Sequence, residues 1–170
     1  DFPGHRIDIN EAAIETAAGS VAAAGSIGLE GPTPSLSLAA SFSPMPLSTL
    51  KQIWPPILAG PARKWVMDHV LTGRATSGKF VAQIPAGVMW TGERVTLPEE
   101  YMRLDARIAD VSFNTVGTIP PITNVSGNAV VAGSTFGVDM ETGEITAPSG
   151  KVVKLLAGAF AVPNTALPVP

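Results

Sequence analysis

The sequence predicts a mainly β protein interrupted once by a short pair of helices. Three observations carry this expectation. Large apolar residues alternate with small or polar ones over most of the chain. The spacing changes to a helical one between Leu47 and Leu71 and then changes back. Gly (17) and Pro (16) fall between short apolar stretches, as turns do between strands. Of 170 residues, 45% are hydrophobic and only 15% charged, so there is ample surface to bury and disorder is excluded.

The elements follow in order. Ile7 and Ile9 face one way against Arg6, Asp8 and Asn10, and Ala12, Ile14 and Thr16 continue the habit. Val21, Ala23, Gly25, Ile27 and Leu29 share a face. Leu36, Leu38, Ala40 and Phe42 alternate with Ser35, Ser37, Ala39 and Ser41, the clearest period-two run in the chain. The first strands thus occupy about 5–43, and a helical insert occupies 47–71. Its first helix runs from Leu47 to Trp54 with Ser48 as N-cap, stopped by Pro55-Pro56. Its second starts near Pro61, carries Ala62, Trp65, Val66, His69 and Val70 as a buried stripe, and stops at Gly73.

Strands resume over 74–163. Phe80, Ala82 and Ile84 alternate before Pro85. Leu104, Ala106 and Ile108 alternate too, but the phase flips to Val111 and Phe113, which calls for a β-bulge near Ala109-Asp110. Val130, Ala132, Phe136, Val138 and Met140 share one parity, with a turn at Gly133. Thr142-Gly143 reads as a hairpin turn into Glu144-Ile145-Thr146. Val152 to Val162 is apolar on both faces and is expected to be the best-buried strand, and the tail Asn164 to Pro170 to fray. Gly-centred strand pairs recur around Gly25 and Gly127 without amounting to a repeat.

Composition narrows the function classes. A net charge of −3 with eleven scattered Lys and Arg residues provides no basic stripe for nucleic acid. The absence of cysteine excludes disulfides, thiolate metal sites and cysteine nucleophiles. No run of apolar residues reaches the length of a membrane-spanning helix. The chain opens on Asp1-Phe2-Pro3-Gly4 and passes straight into strand-like residues. We therefore expect a single fragment, 1–170, of a longer protein whose anchor or export signal lies elsewhere.

No catalytic constellation emerges, and the expectation is a non-enzyme. Ser48-Thr49-Leu50-Lys51 matches an S-x-x-K acyltransferase pattern but has no S-D-N or K-T-G companion, so a capping serine before a surface lysine is the better account. His5 and His69 have no cluster of carboxylates or further histidines, so no metal site is expected; His69, on the helical stripe, reads as a hydrogen-bonded structural residue. Glu99, Glu100 and Asp105 follow Pro98 in what reads as a solvated turn, without the burial that raises a carboxyl pKa. Gly25, Gly28 and Gly31 do not fit a dinucleotide fingerprint, and no cofactor is implied. Asn124-Val125-Ser126 is formally a glycosylation sequon and is read as chance.

The middle segment carries a resemblance. Ile53-Trp54-Pro55-Pro56, then Pro61-Ala62-Arg63-Lys64-Trp65-Val66, then His69-Val70 with Gly73, resembles a signature of AsmA-like envelope proteins, closest to their long YhdP-type branch. Met45-Pro46, Pro120-Pro121-Ile122 before Val125-Ser126-Gly127, and Gly158 to Pro163 agree in order, so the similarity spans about residues 5 to 163. The resemblance implies an elongated, twisted antiparallel sheet forming a half-open apolar groove. It also implies a periplasmic location, an inner-membrane anchor outside this segment, neighbouring segments of the same chain as partners, and passage of phospholipid acyl chains toward the outer membrane. On that reading the strongly alternating strands supply the lining: Leu36, Leu38, Phe42, Phe80, Ile84, Ile108, Phe136 and Val138. Three alternatives stand beside it. They are a closed two-layer sandwich, a scaffolding module of an envelope complex, and a hydrolase using Ser48.

Overall fold

The computed structural model describes residues 5–55, 58, 60–88, 98–115, 119–163 and 165. Among these residues ten strands form one antiparallel sheet in which nearly every strand pairs with its neighbour in sequence. The strands are β1 (Arg6–Thr16), β2 (Gly19–Gly28), β3 (Ser35–Phe42), β4 (Met45–Pro46), β5 (Val70–Ile84), β6 (Met102–Phe113), β7 (Ile122–Ala132), β8 (Thr135–Thr146), β9 (Val152–Leu155) and β10 (Gly158–Val162). β3 and β4 lie end to end along β5, and β10 and β9 lie end to end along β8. The sheet is open: among the described residues β1 pairs only with β2, and β9 and β10 only with β8. Its longest strand, β5, has 15 residues and therefore runs about 50 Å at ~3.3 Å per residue.

Register places the large side chains on one face. Across the sheet Ala40, Phe80, Leu104, Val131, Phe136 and Val162 stand opposite one another in a single row. The adjacent row runs Phe42, Gly78, Ala106, Ala129, Val138, Phe160. The Phe42 ring lies so close over Gly78 that a Cβ there would collide with it, so the position needs glycine for room. The reverse face of β5–β8 carries Lys79, Asp105, Arg107, Asn128, Asp139 and Glu141.

The expected bulge in β6 is present. The β6–β7 register shifts between Ile108 and Val111, and Asp110 takes a φ of 56°, a left-handed conformation that a short polar side chain tolerates. A second irregularity sits in β7 at the sequon asparagine. Asn124 has a φ of 52°, and its Nδ2 donates to Glu144 Oε2 at 2.7 Å. Each shift moves the large residues that follow back onto the apolar face, which a strand without the extra residue would turn to solvent.

The helical insert consists of α1 (Leu47–Ile53) and α2 (Gly60–His69). Trp54, which precedes Pro55, is extended with a ψ of 112°, as a residue before proline must be, and α1 ends there. Lys51 Nζ donates to the carbonyls of Val70 at 2.5 Å and Met67 at 3.3 Å, at the C-terminal end of α2. Arg63 Nε donates to Trp54 O at 3.1 Å, and Trp54 Nε1 donates to Leu58 O at 2.9 Å, tying the two helices together. Ala62 and Trp65 are the buried residues of α2. The Trp65 ring stacks on His69 and lies 4.5 Å from Phe136 and 5.8 Å from Phe160, and Phe160 is 5.4 Å from Phe113. An aromatic cluster thus fastens the insert onto the apolar face over β6, β8 and β10.

Five expectations are corrected. Ser48 is not an N-cap: α1 begins at Leu47 after Pro46, with no side-chain cap. Gly73 does not stop α2, which passes directly from His69 into β5. Gly73 instead lies in β5 with a φ of 125°, where a Cβ would sit 2.6 Å from Val111 Cα. Thr142-Gly143 is not a turn, because β8 runs on to Thr146, and the hairpin closes through Ala147 and Gly150. Val130 and Ala132 do not share the face of Phe136 and Val138. The loop Gly133–Ser134 has two residues, so Val131 and Ala129 stand opposite those side chains. Finally, Val152 to Val162 is the sheet's outer edge. It is two strands rather than one, with Val152 55% and Leu156 82% exposed. Pro56 and, Thr165 apart, the tail from Asn164 lie outside the described residues.

Two outcomes are expected. Trp65→Ala removes the centre of the aromatic cluster and costs about 3–5 kcal/mol in chemical denaturation. Trp65→Phe costs well under half of that, because the indole Nε1 has no acceptor among the described residues and no hydrogen bond is lost. At Asp110, substitution by Gly leaves stability unchanged or raised, whereas Asp110→Val lowers it by about 1–2 kcal/mol, since a β-branched residue resists positive φ.

A candidate apolar binding face and its reverse

All eight residues expected to line a groove lie on one face of the sheet, since each falls in a register row of that face. Their exposure divides them. Phe42, Ile84, Ile108, Phe136 and Val138 are buried, whereas Leu36, Leu38 and Phe80 are half-buried. Phe136 is covered by Trp65 of the protein's own insert. The face is therefore closed over β8 and opens toward β3.

The open part continues onto β1 and β2, which the sequence-based lining did not include. Ile7 is 51% and Ile14 59% exposed, with Ile9, Val21 and Ile27 half-buried beside them. The other face of this three-stranded wing carries Ala22, Ala24, Ser26, Ser37, Ala39 and Ser41 on β2 and β3, with Arg6, Asp8 and Glu15 on β1. The wing is thus apolar and bulky on one side and, over β2 and β3, carries only small side chains on the other. The signal was present in the alternation of Ile7, Ile9 and Ile14, but alternation reports which face a residue takes and not whether that face is covered.

A hollow of 460 Å³ lies along the middle strands, lined by Ser41, Ser77, Lys79, Asp105, Arg107 and Asn128 of the polar face together with Phe42, Ala106 and Ala129. Its charges are largely matched within the sheet. Arg107 makes two bonds of 2.5 Å to Glu141 and a longer one to Asn128 Oδ1, and Arg103 makes two to Asp105 at 2.7 and 2.8 Å. Arg107 beside Glu141 holds that carboxyl below its ordinary pKa, so its small contribution is present above the usual carboxylate range and fades as acid protonates it. The hollow offers paired polar groups rather than an apolar trough.

The residues weighed for chemistry are placed as follows. Ser48 is exposed, while the Lys51 ammonium is held by the carbonyls at the end of α2. Partial burial lowers the Lys51 pKa, and Asp68 partly offsets that. His69 Nδ1 is 2.9 Å from Trp65 O, the hydrogen-bonded arrangement expected of it. Glu99 accepts from Thr135 Oγ1 at 2.6 Å in an exposed turn, and Asp105 is held by Arg103. Among the described residues no group of His, Asp and Glu could hold a metal ion, and no helix is long and apolar enough to cross a membrane. Comparisons of the chain with protein-family models, with curated proteins and with solved structures find no match.

The closed and open parts of the apolar face should respond differently to the same change. Ile14→Ser is expected to shift stability by no more than about 0.5 kcal/mol, as at ordinary surface positions. Ile108→Ser, at a site 5% exposed, should cost about 3 kcal/mol or more. Thermal melts of the two variants side by side check this.

Proposed function

We propose that this chain is a structural β module, an open sheet that serves as a segment of a larger β assembly in the bacterial envelope. The observation that carries the proposal is the pairing of a closed face with open edges. Trp65 of the protein's own insert covers the apolar face at Phe136 of β8 and Phe160 of β10, while among the described residues β1 at one side and β9–β10 at the other each have a strand partner on one side only. An uncovered row of backbone donors and acceptors is a template for adding strands, which a scaffold uses and an isolated domain must guard against. The envelope placement rests on the resemblance of the Ile53 to Gly73 segment to AsmA-like proteins.

The second reading keeps a lipid cargo, and the exposed wing favours it. Ile7, Ile14, Val21, Leu36 and Leu38 present an apolar surface on which acyl chains could lie, each shielded methylene contributing about 0.8 kcal/mol. Native mass spectrometry of the purified chain after exposure to phospholipid vesicles separates the two. The structural reading expects no retained phospholipid and an unchanged melting temperature. Stoichiometric phospholipid that is lost in Leu38→Asp, with the fold retained, would replace it by the lipid groove.

A further inference from the structure

We infer that the two free edges of this sheet are complementary, and that β1 of one copy adds antiparallel onto the β9–β10 edge of a second copy. The inference rests on the structural-module reading and names its partner.

Direction comes first. The strands alternate in direction from β1 to β10, so a β1 placed beside a β10 is antiparallel to it and the sheet pattern continues unbroken. Length comes second. β1 has 11 residues, and β9 and β10 with the Leu156-Ala157 break between them span the same 11 positions.

Facing is the stricter condition. β1 changes phase in mid-strand: Ile7 and Ile9 lie on the apolar face, and after the shift between Ile9 and Ala12 so does Ile14. The opposite edge changes phase as well. Phe160 and Val162 of β10 share the row positions of Val138 and Phe136. Leu155 of β9 pairs with Gly143, where its side chain approaches those of Val125 and Ile122 on that same face. Four residues separate Ile9 from Ile14, and four separate Leu155 from Phe160. One register therefore serves the whole length. Ile7 meets Val162, Ile9 meets Phe160, Ile14 meets Leu155, and on the other face Glu15 meets Lys154.

Hydrogen-bond phase agrees with that register. Leu29 N donates to His5 O at 2.5 Å, so alternation along β1 points the amides of Ile7 and Ile9 at β2 and that of Asp8 outward. Beyond the shift, the amides of Ala13 and Glu15 point outward. By the same alternation, counted from Gly133 N to Met102 O and from Ala147 N to Lys151 O, the outward amides of the other edge are those of Ala161 and Lys154. Asp8 then faces Ala161 and Glu15 faces Lys154, outward groups meeting outward groups. The apolar pairs fall at the closer, non-hydrogen-bonded positions, where side chains touch best. The contact is heterologous, joining one edge of a copy to the other edge of the next, and it leaves a free edge at each end for further copies.

The native chain has no cysteine, so introduced ones report without background. Ile14→Cys and Leu155→Cys chains, mixed and mildly oxidised, are expected to form a disulfide heterodimer well above either variant alone, since facing residues bring Cα atoms within disulfide reach. In sedimentation the unmodified chain should associate with rising concentration. Ala13→Pro, which removes only an outward amide, should weaken that association at least about tenfold while the melting temperature holds. Should Ala13→Pro unfold, Glu15→Lys provides the second arm: it sets two lysines opposite, and Lys154→Glu chains should rescue it. A chain that stays monomeric at every concentration overturns the inference, as does an Ile14→Cys homodimer that exceeds the mixed product. Retained phospholipid bears on the structural-module reading instead, so the two failures are distinguishable.

Discussion

The structure depends on holding one apolar face in phase across strands too long to stay in phase unaided. A strand of a dozen residues in a twisted sheet accumulates misfit against its neighbours, and one slipped residue turns every later side chain to the wrong face. This chain resets the phase locally, at the shift after Ile9 in β1, near Ala75 in β5, at Asp110 in β6 and at Asn124 in β7. Two of the resets use short polar residues at positive φ, where Asp and Asn cost least. With these resets in agreement, Phe136 and Phe160 arrive together beneath Trp65, and Phe113 lies beside Phe160. The helical insert has a seat because the sheet beneath it is in register.

That dependence explains which features could be read from the residues. Period-two alternation shows which side chains of one strand share a face, and the flip between Ile108 and Val111 locates a bulge because both flanks alternate strongly. Other features had no local signature. Whether Val130 or Val131 shares the face of Phe136 depends on the loop holding two residues, which parity along the sequence does not reveal. Thr142-Gly143 has turn chemistry, yet Gly143 is buried in β8 beside Val125, Ile122 and Leu155, where a small residue is wanted for packing. The run from Val152 to Val162 shows why apolarity is a poor guide to burial. Its residues are apolar on both faces because it is an edge broken at Leu156, not because it is covered on both sides.

The same distinction governs the candidate site. Strength of alternation was used to select lining residues, but the strongest alternation marks the face that most needs a cover, and here the protein supplies part of that cover itself. Phe136 under Trp65 is core, whereas Ile14, in a strand of weaker pattern, is the residue left facing water. The polar face follows the opposite logic. Arg103 with Asp105, and Arg107 with Glu141, spend their donors on partners within the sheet, and these exposed pairs keep the polar face solvated.

An open sheet of this length has to deal with its edges, and the devices that usually blunt them are sparse here. Neither β1 nor the β9–β10 edge contains proline, and β1 is long at 11 residues, although the other edge is divided into β9 of four residues and β10 of five. β1 does carry charge, but Asp8 is already paired with Arg6 on its own strand at 2.7 Å, which screens one of the groups that would repel an incoming neighbour. Irregularities normally protect an edge because an approaching flat strand cannot follow them. A partner with the same irregularity at the same place is not excluded in that way. Phase shifts in β1 and between β9 and β10 thus turn from a general deterrent into a selective one. They reject strands of uniform phase and admit an edge that shifts where they do, so the devices that keep the apolar face intact within one copy can also decide what is allowed to extend it.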